Sequence, residues 1–130
     1  MKNLTLLGST GSIGVSTLDV VSQRTGEYRI FALVAGENTE LLSDQILKFH
    51  PKLAIVATET ARDRLTSELG KRGLARAGWP ELLYGAAARV QAAIAGEVDF
   101  VLSAIVGVAG LEATYEAVCL GKRIGLANKE

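Results

Sequence analysis

The sequence predicts an α/β fold in which a mainly parallel sheet is covered by helices on both faces. Three observations carry this. Short apolar runs alternate with helical patterns along the whole chain. The runs lack polar alternation, as strands buried on both faces require. The first run, Leu4-Thr5-Leu6-Leu7, stops at a glycine that opens the spacing Gly8-x-x-Gly11-x-x-Gly14, and a helical pattern begins there.

That first stretch organises the rest. A buried strand, a tight turn and a helix N-terminus follow one another within the first 14 residues. The unpaired N–H groups of a first helical turn and the aligned backbone dipoles make an anion site. Gly11 removes a side chain where a diphosphate would touch the backbone. Gly14 shares a helix face with Leu18 and Val21 and lets the helix sit close on the sheet. The common dinucleotide spacing is G-x-G-x-x-G. Here the turn is looser, with Ser9 and Thr10 inside it. The pattern alone fits a nucleotide-phosphate site or a plain glycine-rich turn. The strand before it and the helix after it favour the first.

The elements follow in order. Strand one spans Asn3–Gly8 and helix one Ser12–Gln23. Strand two is Tyr28–Ala35, rich in β-formers and ended by Gly36. Asn38 or Thr39 caps helix two, whose core face is Leu42, Ile46 and Phe49; Pro51 stops it at His50. Strand three is Leu53–Ala57. Thr60 is the expected cap of helix three, with Ala61, Leu65 and Leu69 on one face. Gly70–Pro80 reads as a loop or frayed end, because Gly73, Gly78 and Pro80 resist regular structure. Leu82–Tyr84 is a short fourth strand, Ala86–Ala95 a helix and Val98–Leu102 the fifth strand. A helix over Gly107–Leu120 is expected to turn Leu111, Thr114, Tyr115, Val118 and Cys119 inward, and Gly121 ends it. Arg123–Ala127 is the sixth strand. With right-handed crossovers and a phosphate turn after strand one, the expected arrangement is a Rossmann-like, doubly wound sheet of order 3-2-1-4-5-6. Its ligand lies beyond the C-terminal strand ends, between strands one and four.

Composition bounds the function. A chain of 130 residues, 48% of them hydrophobic, suffices for one domain with a sizeable core. Fourteen basic and fourteen acidic residues cancel, and aromatic residues are few. Both facts argue against a nucleic-acid partner. No apolar run reaches the ~18 residues of a membrane span, so no membrane partner is expected. One cysteine, Cys119, excludes an internal disulfide and fits a reducing, cytoplasmic compartment. Three polar residues, Asn128-Lys129-Glu130, follow strand six directly, and further protein is expected after them.

Single residues read plainly. His50 at a helix end serves the dipole or solvent. Cys119 is expected in the core, Trp79 over a satellite cluster, and Asp99 solvated or accepting in a turn. No metal-ligand spacing and no Ser–His pairing occurs. Ser103–Gly110 places small residues after strand five, where a cofactor backbone would pass; a glycine-opened helix explains the same stretch. Lys129 sits at the ligand edge or is a solvated terminal charge.

Taken together, Leu7-Gly8-Ser9-Thr10-Gly11-Ser12-Ile13-Gly14, Ser16-Thr17-Leu18-Asp19-Val20-Val21, Ala32-Leu33-Val34-Ala35-Gly36, Ala104-Ile105-Val106-Gly107, Ala109-Gly110-Leu111 and Leu126-Ala127-Asn128-Lys129-Glu130 resemble the 1-deoxy-D-xylulose 5-phosphate reductoisomerase family. The resemblance runs end to end through this chain and covers only the family's N-terminal, NADPH-binding domain. It implies an enzyme that rearranges and reduces 1-deoxy-D-xylulose 5-phosphate to 2-C-methyl-D-erythritol 4-phosphate in non-mevalonate isoprenoid biosynthesis. NADPH and a divalent cation, Mg2+ or Mn2+, are the implied cofactors. The metal ligands, the catalytic and C-terminal domains and most of the substrate pocket lie outside this chain, which alone is expected to be inactive. A phosphosugar substrate and a homodimer of the full-length enzyme are implied.

By the same resemblance Thr10, Gly11, Ser12 and Ile13 bind the cofactor diphosphate and its neighbours. Gly36, Glu37 and Asn38 hold the adenosine ribose end. Asn128 and Glu130 contact cofactor, and Lys129 contacts substrate. One position departs: many members carry a basic residue at the place of Glu37, where it meets the 2′-phosphate. An acid about 20 residues past the glycine turn is the mark of an NAD site. The resemblance still implies NADPH, with weaker discrimination against NADH. The competing reading is a stand-alone nucleotide-binding or ligand-sensing domain without chemistry.

Overall fold

The computed structural model describes residues 2–24, 26–105 and 111–126. Among the described residues six strands, β1 (Lys2–Leu7), β2 (Tyr28–Val34), β3 (Leu53–Val56), β4 (Glu81–Tyr84), β5 (Phe100–Ser103) and β6 (Arg123–Leu126), form one sheet. Every pairing is parallel. The helices described between them are α1 (Ser12–Gln23), α2 (Thr39–Phe49), α3 (Glu59–Lys71), α4 (Ala86–Ile94) and α5 (Leu111–Cys119). The fold class is the one the sequence predicts.

The strand order is β4-β3-β2-β1-β5-β6. This corrects the expected 3-2-1-4-5-6, which set Leu82–Tyr84 beside β1. That strand lies outside β3, with Leu82 opposite Ala54, and β5 takes the place beside β1. Burial explains the exchange. β4 exposes Glu81 and Tyr84 and suits an edge, whereas Val101 of β5 is fully buried and pairs with Thr5.

The crossovers decide which helix covers which face. From β1 to β4 each step moves one strand outward in the same direction, so right-handed connections put α1, α2 and α3 on one face. Leu18, Val21, Leu42, Ile46, Leu65 and Leu69 pack there against Leu4, Leu6 and Leu33. The chain then returns past β1 to β5 and β6, and α4 and α5 cover the opposite face. Ala88, Ala92, Ala93, Ala113 and Ala117 meet Leu7, Val34, Ile55 and Val101 on that side.

Two local expectations are overturned. Helix α3 is capped by Thr58, not Thr60; the Thr58 hydroxyl accepts from the Ala61 N–H at 3.1 Å. The helix begins at Glu59 and runs through Gly70 to Lys71, and a short 3-10 turn at Arg76–Gly78 leads to β4. On α5 the inward residues are Ala113 and Ala117. Leu111, Tyr115 and Val118 are each more than half exposed, and Cys119 is exposed as well rather than in the core. Two stripes compete on this helix. The alanine stripe wins because α4 presents alanines of its own, and only small residues let both helices approach the strands. Gly121, at φ 75°, ends α5. Its N–H bonds the Val118 carbonyl and the Lys122 N–H bonds that of Ala117, the paired closing bonds of a left-handed helix stop.

His50 ends α2 in the left-handed region at φ 49°. Trp79 packs against the core cluster on the α1 face, and its indole N–H bonds the Leu74 carbonyl at 2.8 Å. Asp99 accepts from the Asn3 N–H at 2.8 Å.

Candidate functional site: the glycine turn at the switch point

The turn between β1 and α1 is anchored by its neighbours on both sides. The N–H groups of Gly8 and Ser9 bond the Val34 carbonyl of β2 at 2.7 and 3.0 Å. The Leu7 carbonyl accepts from the Ala104 N–H, just past β5, at 2.7 Å. Below, Gln45 of α2 is buried and donates its side-chain amide to the Ser9 carbonyl at 2.8 Å. The chain leaves β1 towards the α1 face and leaves β5 for the α5 face. The switch point, where ligands of such sheets bind, therefore lies at the C-terminal ends of β1 and β5, not between strands one and four as expected.

The three glycines do different work. Gly8 sits at φ 92°, and a Cβ there would lie 2.9 Å from the backbone of Ala104. A Cβ at Gly14 would lie 2.1 Å from the Gly8 carbonyl oxygen. Both positions are closed by backbone. Gly11 is the opposite case. Its φ of −78° and ψ of 171° suit any residue, and a Cβ would meet nothing nearer than 3.8 Å. Its missing side chain leaves space above the helix entrance.

That entrance is also open to an anion. Gly11 is the N-cap of α1, and no side chain caps the helix. The first bond within it runs from Val15 N–H to the Gly11 carbonyl, so the N–H groups of Ser12, Ile13 and Gly14 have no partner inside the helix. Helices α2 and α3, by contrast, are closed by Asn38 and Thr58. Helix α4 also lacks a side-chain cap, at Gly85, but it follows the edge strand β4, away from the switch point. Ser12 and Ile13 are exposed and Thr10 is half-buried. These features fit a diphosphate.

Gly36, Glu37 and Asn38 form the next turn, between β2 and α2. Because β1 and β2 are adjacent and parallel, this turn shares an edge with Thr10–Ile13. The Asn38 side chain accepts from Leu41 N–H at 3.2 Å, and the Gly36 carbonyl accepts from Ala57 N–H at 3.2 Å. A Glu37 carboxylate oxygen lies 2.5 Å from a guanidinium nitrogen of Arg64, on α3. Asn128, Lys129 and Glu130 fall outside the described residues, as does the Val106–Gly110 part of the small-residue stretch. Strand β6, which precedes the terminal three, runs parallel to β5 with Leu126 opposite Ser103, so its end points to the same edge.

Sequence reasoning missed Gln45 and Arg64. Gln45 had a signal: it stands between Leu42 and Ile46 on the helix's buried side, where a polar residue needs a partner. Arg64 had none, being 27 positions from Glu37. Among the described residues no group of His, Cys, Asp and Glu is placed to hold a metal ion, and no helix is long and apolar enough to cross a membrane. Away from the site, the Tyr115 hydroxyl is pushed above its usual range, first by its hydrogen bond with Cys119.

Comparison with known proteins shows the family. The model of the 1-deoxy-D-xylulose 5-phosphate reductoisomerase family matches residues 4–130. A protein of that name from Solibacter usitatus (strain Ellin6076) is 63% identical over the whole chain, which covers 33% of the relative. One from Geobacter sp. (strain M21) is 49% identical over the whole chain and 32% of the relative. A crystal structure of a DOX-P reductoisomerase in complex with NADPH, fosmidomycin and magnesium superposes with a TM-score of 0.89 at 37% identity, over all of this chain and 31% of that one. The Zymomonas mobilis enzyme in complex with NADPH gives 0.86 at 38% identity, over 98% of this chain and 32% of that one. The chain thus spans about a third of the length of the relatives it matches. It belongs to the 1-deoxy-D-xylulose 5-phosphate reductoisomerase family.

Proposed function

We propose that residues 1–130 are the NADPH-binding domain of a reductoisomerase that converts 1-deoxy-D-xylulose 5-phosphate to 2-C-methyl-D-erythritol 4-phosphate. The observation that supports the cofactor site is the uncapped start of α1 at the switch point, with open space over Gly11, and the reaction follows from the family. Thr10, Gly11, Ser12 and Ile13 hold the diphosphate. Gly36, Glu37 and Asn38 hold the adenosine ribose, with Asn128 and Glu130 as further cofactor contacts. Lys129 donates to substrate oxygens as a point charge. When bound, the cofactor supplies the reducing hydride. The divalent cation, Mg2+ or Mn2+, is held by residues beyond this chain, as are the catalytic and C-terminal domains. The partner is a small phosphosugar; the full-length enzyme is a cytoplasmic homodimer.

The full-length protein should oxidise NADPH only when the deoxyxylulose phosphate and a divalent cation are both present, and the 130-residue chain should not. Cofactor binding without such turnover by the full-length protein would favour a non-catalytic nucleotide-binding domain. In the same assay Lys129→Ala should lower kcat/KM at least about tenfold while cofactor affinity stays within twofold, as loss of a charge-assisted bond to substrate requires. Unchanged turnover would leave Lys129 a solvated charge.

A further inference from the structure

We infer that Arg64, on helix α3, is the residue that accepts the 2′-phosphate of NADPH and so sets the cofactor preference of this chain. This role rests on the proposal that these residues bind a nicotinamide dinucleotide. In such sheets the adenosine ribose lies at the end of the second strand, beside the residue about 20 positions past the glycine turn. Here that residue is Glu37. A carboxylate there accepts from a ribose 2′-hydroxyl but repels a 2′-phosphate.

The structure places a cation against that carboxylate. Glu37 and Arg64 meet at 2.5 Å, and their side chains are 60% and 51% exposed. The pair cancels the charge of the acid at the ribose position. It also fixes where the guanidinium waits. The other arginine of this helix segment, Arg62, faces elsewhere: it pairs with Glu59 and Asp63 and stacks over the Tyr84 ring at the β4 edge. Arg72, at the far end of α3, pairs with Asp44. Among the described residues, Arg64 is the cation that an ion pair brings to the Gly36–Asn38 turn.

The turn and the helix are held together by backbone as well. The Ala57 N–H, in the loop before α3, bonds the Gly36 carbonyl, so the entry to α3 lies against the ribose turn independently of the salt bridge. A guanidinium presents five donors in a planar fork and binds phosphate in bidentate fashion. An exposed carboxylate pair is a weak hold on it. Arg64 can therefore turn some of its donors to a dianionic phosphate without any rearrangement of the fold. Glu37 then acts as a holder and as a competitor: it keeps the guanidinium at the ribose position and also draws on the same donors.

The test is a set of binding titrations with NADPH and with NADH on the full-length protein. Arg64→Ala should weaken NADPH at least about tenfold, because the phosphate loses its donors and faces the uncompensated Glu37 carboxylate, and should change NADH, which has no 2′-phosphate, by less than twofold. Glu37→Gln should strengthen NADPH, since the competing charge is gone. The double variant should bind NADPH more weakly than the unsubstituted protein but less weakly than Arg64→Ala, because the uncompensated carboxylate is gone too. If Arg64 only ties α3 to the turn, both single variants break the same tie and weaken both cofactors alike, and that result overturns the proposal. Equal losses of NADPH and NADH with Arg64→Ala alone would also overturn it. Failure of the underlying dinucleotide assignment looks different: the unsubstituted protein would bind neither cofactor.

Discussion

Gly11 and Gly14 stand three positions apart and face opposite constraints. At Gly14 any side chain collides with the carbonyl of Gly8, which is itself pinned beside β2 and β5. Gly14→Ala must push α1 off the sheet, and overpacking of this kind costs roughly 1–3 kcal/mol or more. A thermal melt should show a fall of several degrees with no ligand present; an unchanged melt would mean that α1 is not seated as described. Gln45 makes the complementary case. Gln45→Leu keeps the side-chain bulk but leaves the Ser9 carbonyl without its donor in a buried place. The expected loss is roughly 1–3 kcal/mol, and NADPH binding should weaken with it because Ser9 lies inside the glycine turn proposed to hold the diphosphate. Stability lost with full cofactor affinity would show that Gln45 supports the fold and not the turn. The glycine roles were legible from spacing, since a strand, a turn and a helix leave little choice. The tie from Gln45 was half legible, and the Glu37–Arg64 pair was not, because nothing local links positions so far apart in the chain.

Among the elements, those with one dominant pattern were legible and those with two were not. Helix α1 has one buried stripe, Gly14, Leu18 and Val21, and its bounds agree with the sequence reading. Ahead of α3 both Thr58 and Thr60 can cap, and the side chain that reaches a free N–H is Thr58, three residues before Ala61. Helix α5 carries an apolar stripe and an alanine stripe; side-chain size reads the first as core, and packing against the alanines of α4 selects the second. The outcome is testable on stability. Ala117→Leu places a large side chain into a fully buried site and should cost roughly 1–3 kcal/mol. Val118→Ala, at a position 56% exposed, should stay within about 0.5 kcal/mol in the 130-residue chain. If the two effects were reversed, α5 would turn its large apolar stripe, not its alanines, to the sheet.

At the scale of the whole molecule, strand alternation and handedness gave the class and the two-faced cover. They set the short Leu82–Tyr84 strand at the centre beside β1, where the structure has β5, although handedness is equally compatible with the edge beyond β3. Only pairing partners separate these, and partners are tertiary facts. The exchange keeps the switch point at the end of β1, because in either order the chain leaves β1 and its inner neighbour towards opposite faces. Cofactor binding therefore turns on whether the open start of α1 holds the diphosphate. The most direct test is Gly11→Val in the full-length protein, measured as NADPH affinity beside a thermal melt. The backbone at Gly11 already suits a branched residue and a Cβ meets no close atom, so the melt should shift by no more than the ~1 kcal/mol of a poorer helix cap. The side chain fills the space above Ser12 and Ile13, so the Kd should rise at least about tenfold. An unchanged Kd in a protein that folds as before would contradict the placement of the diphosphate at this turn.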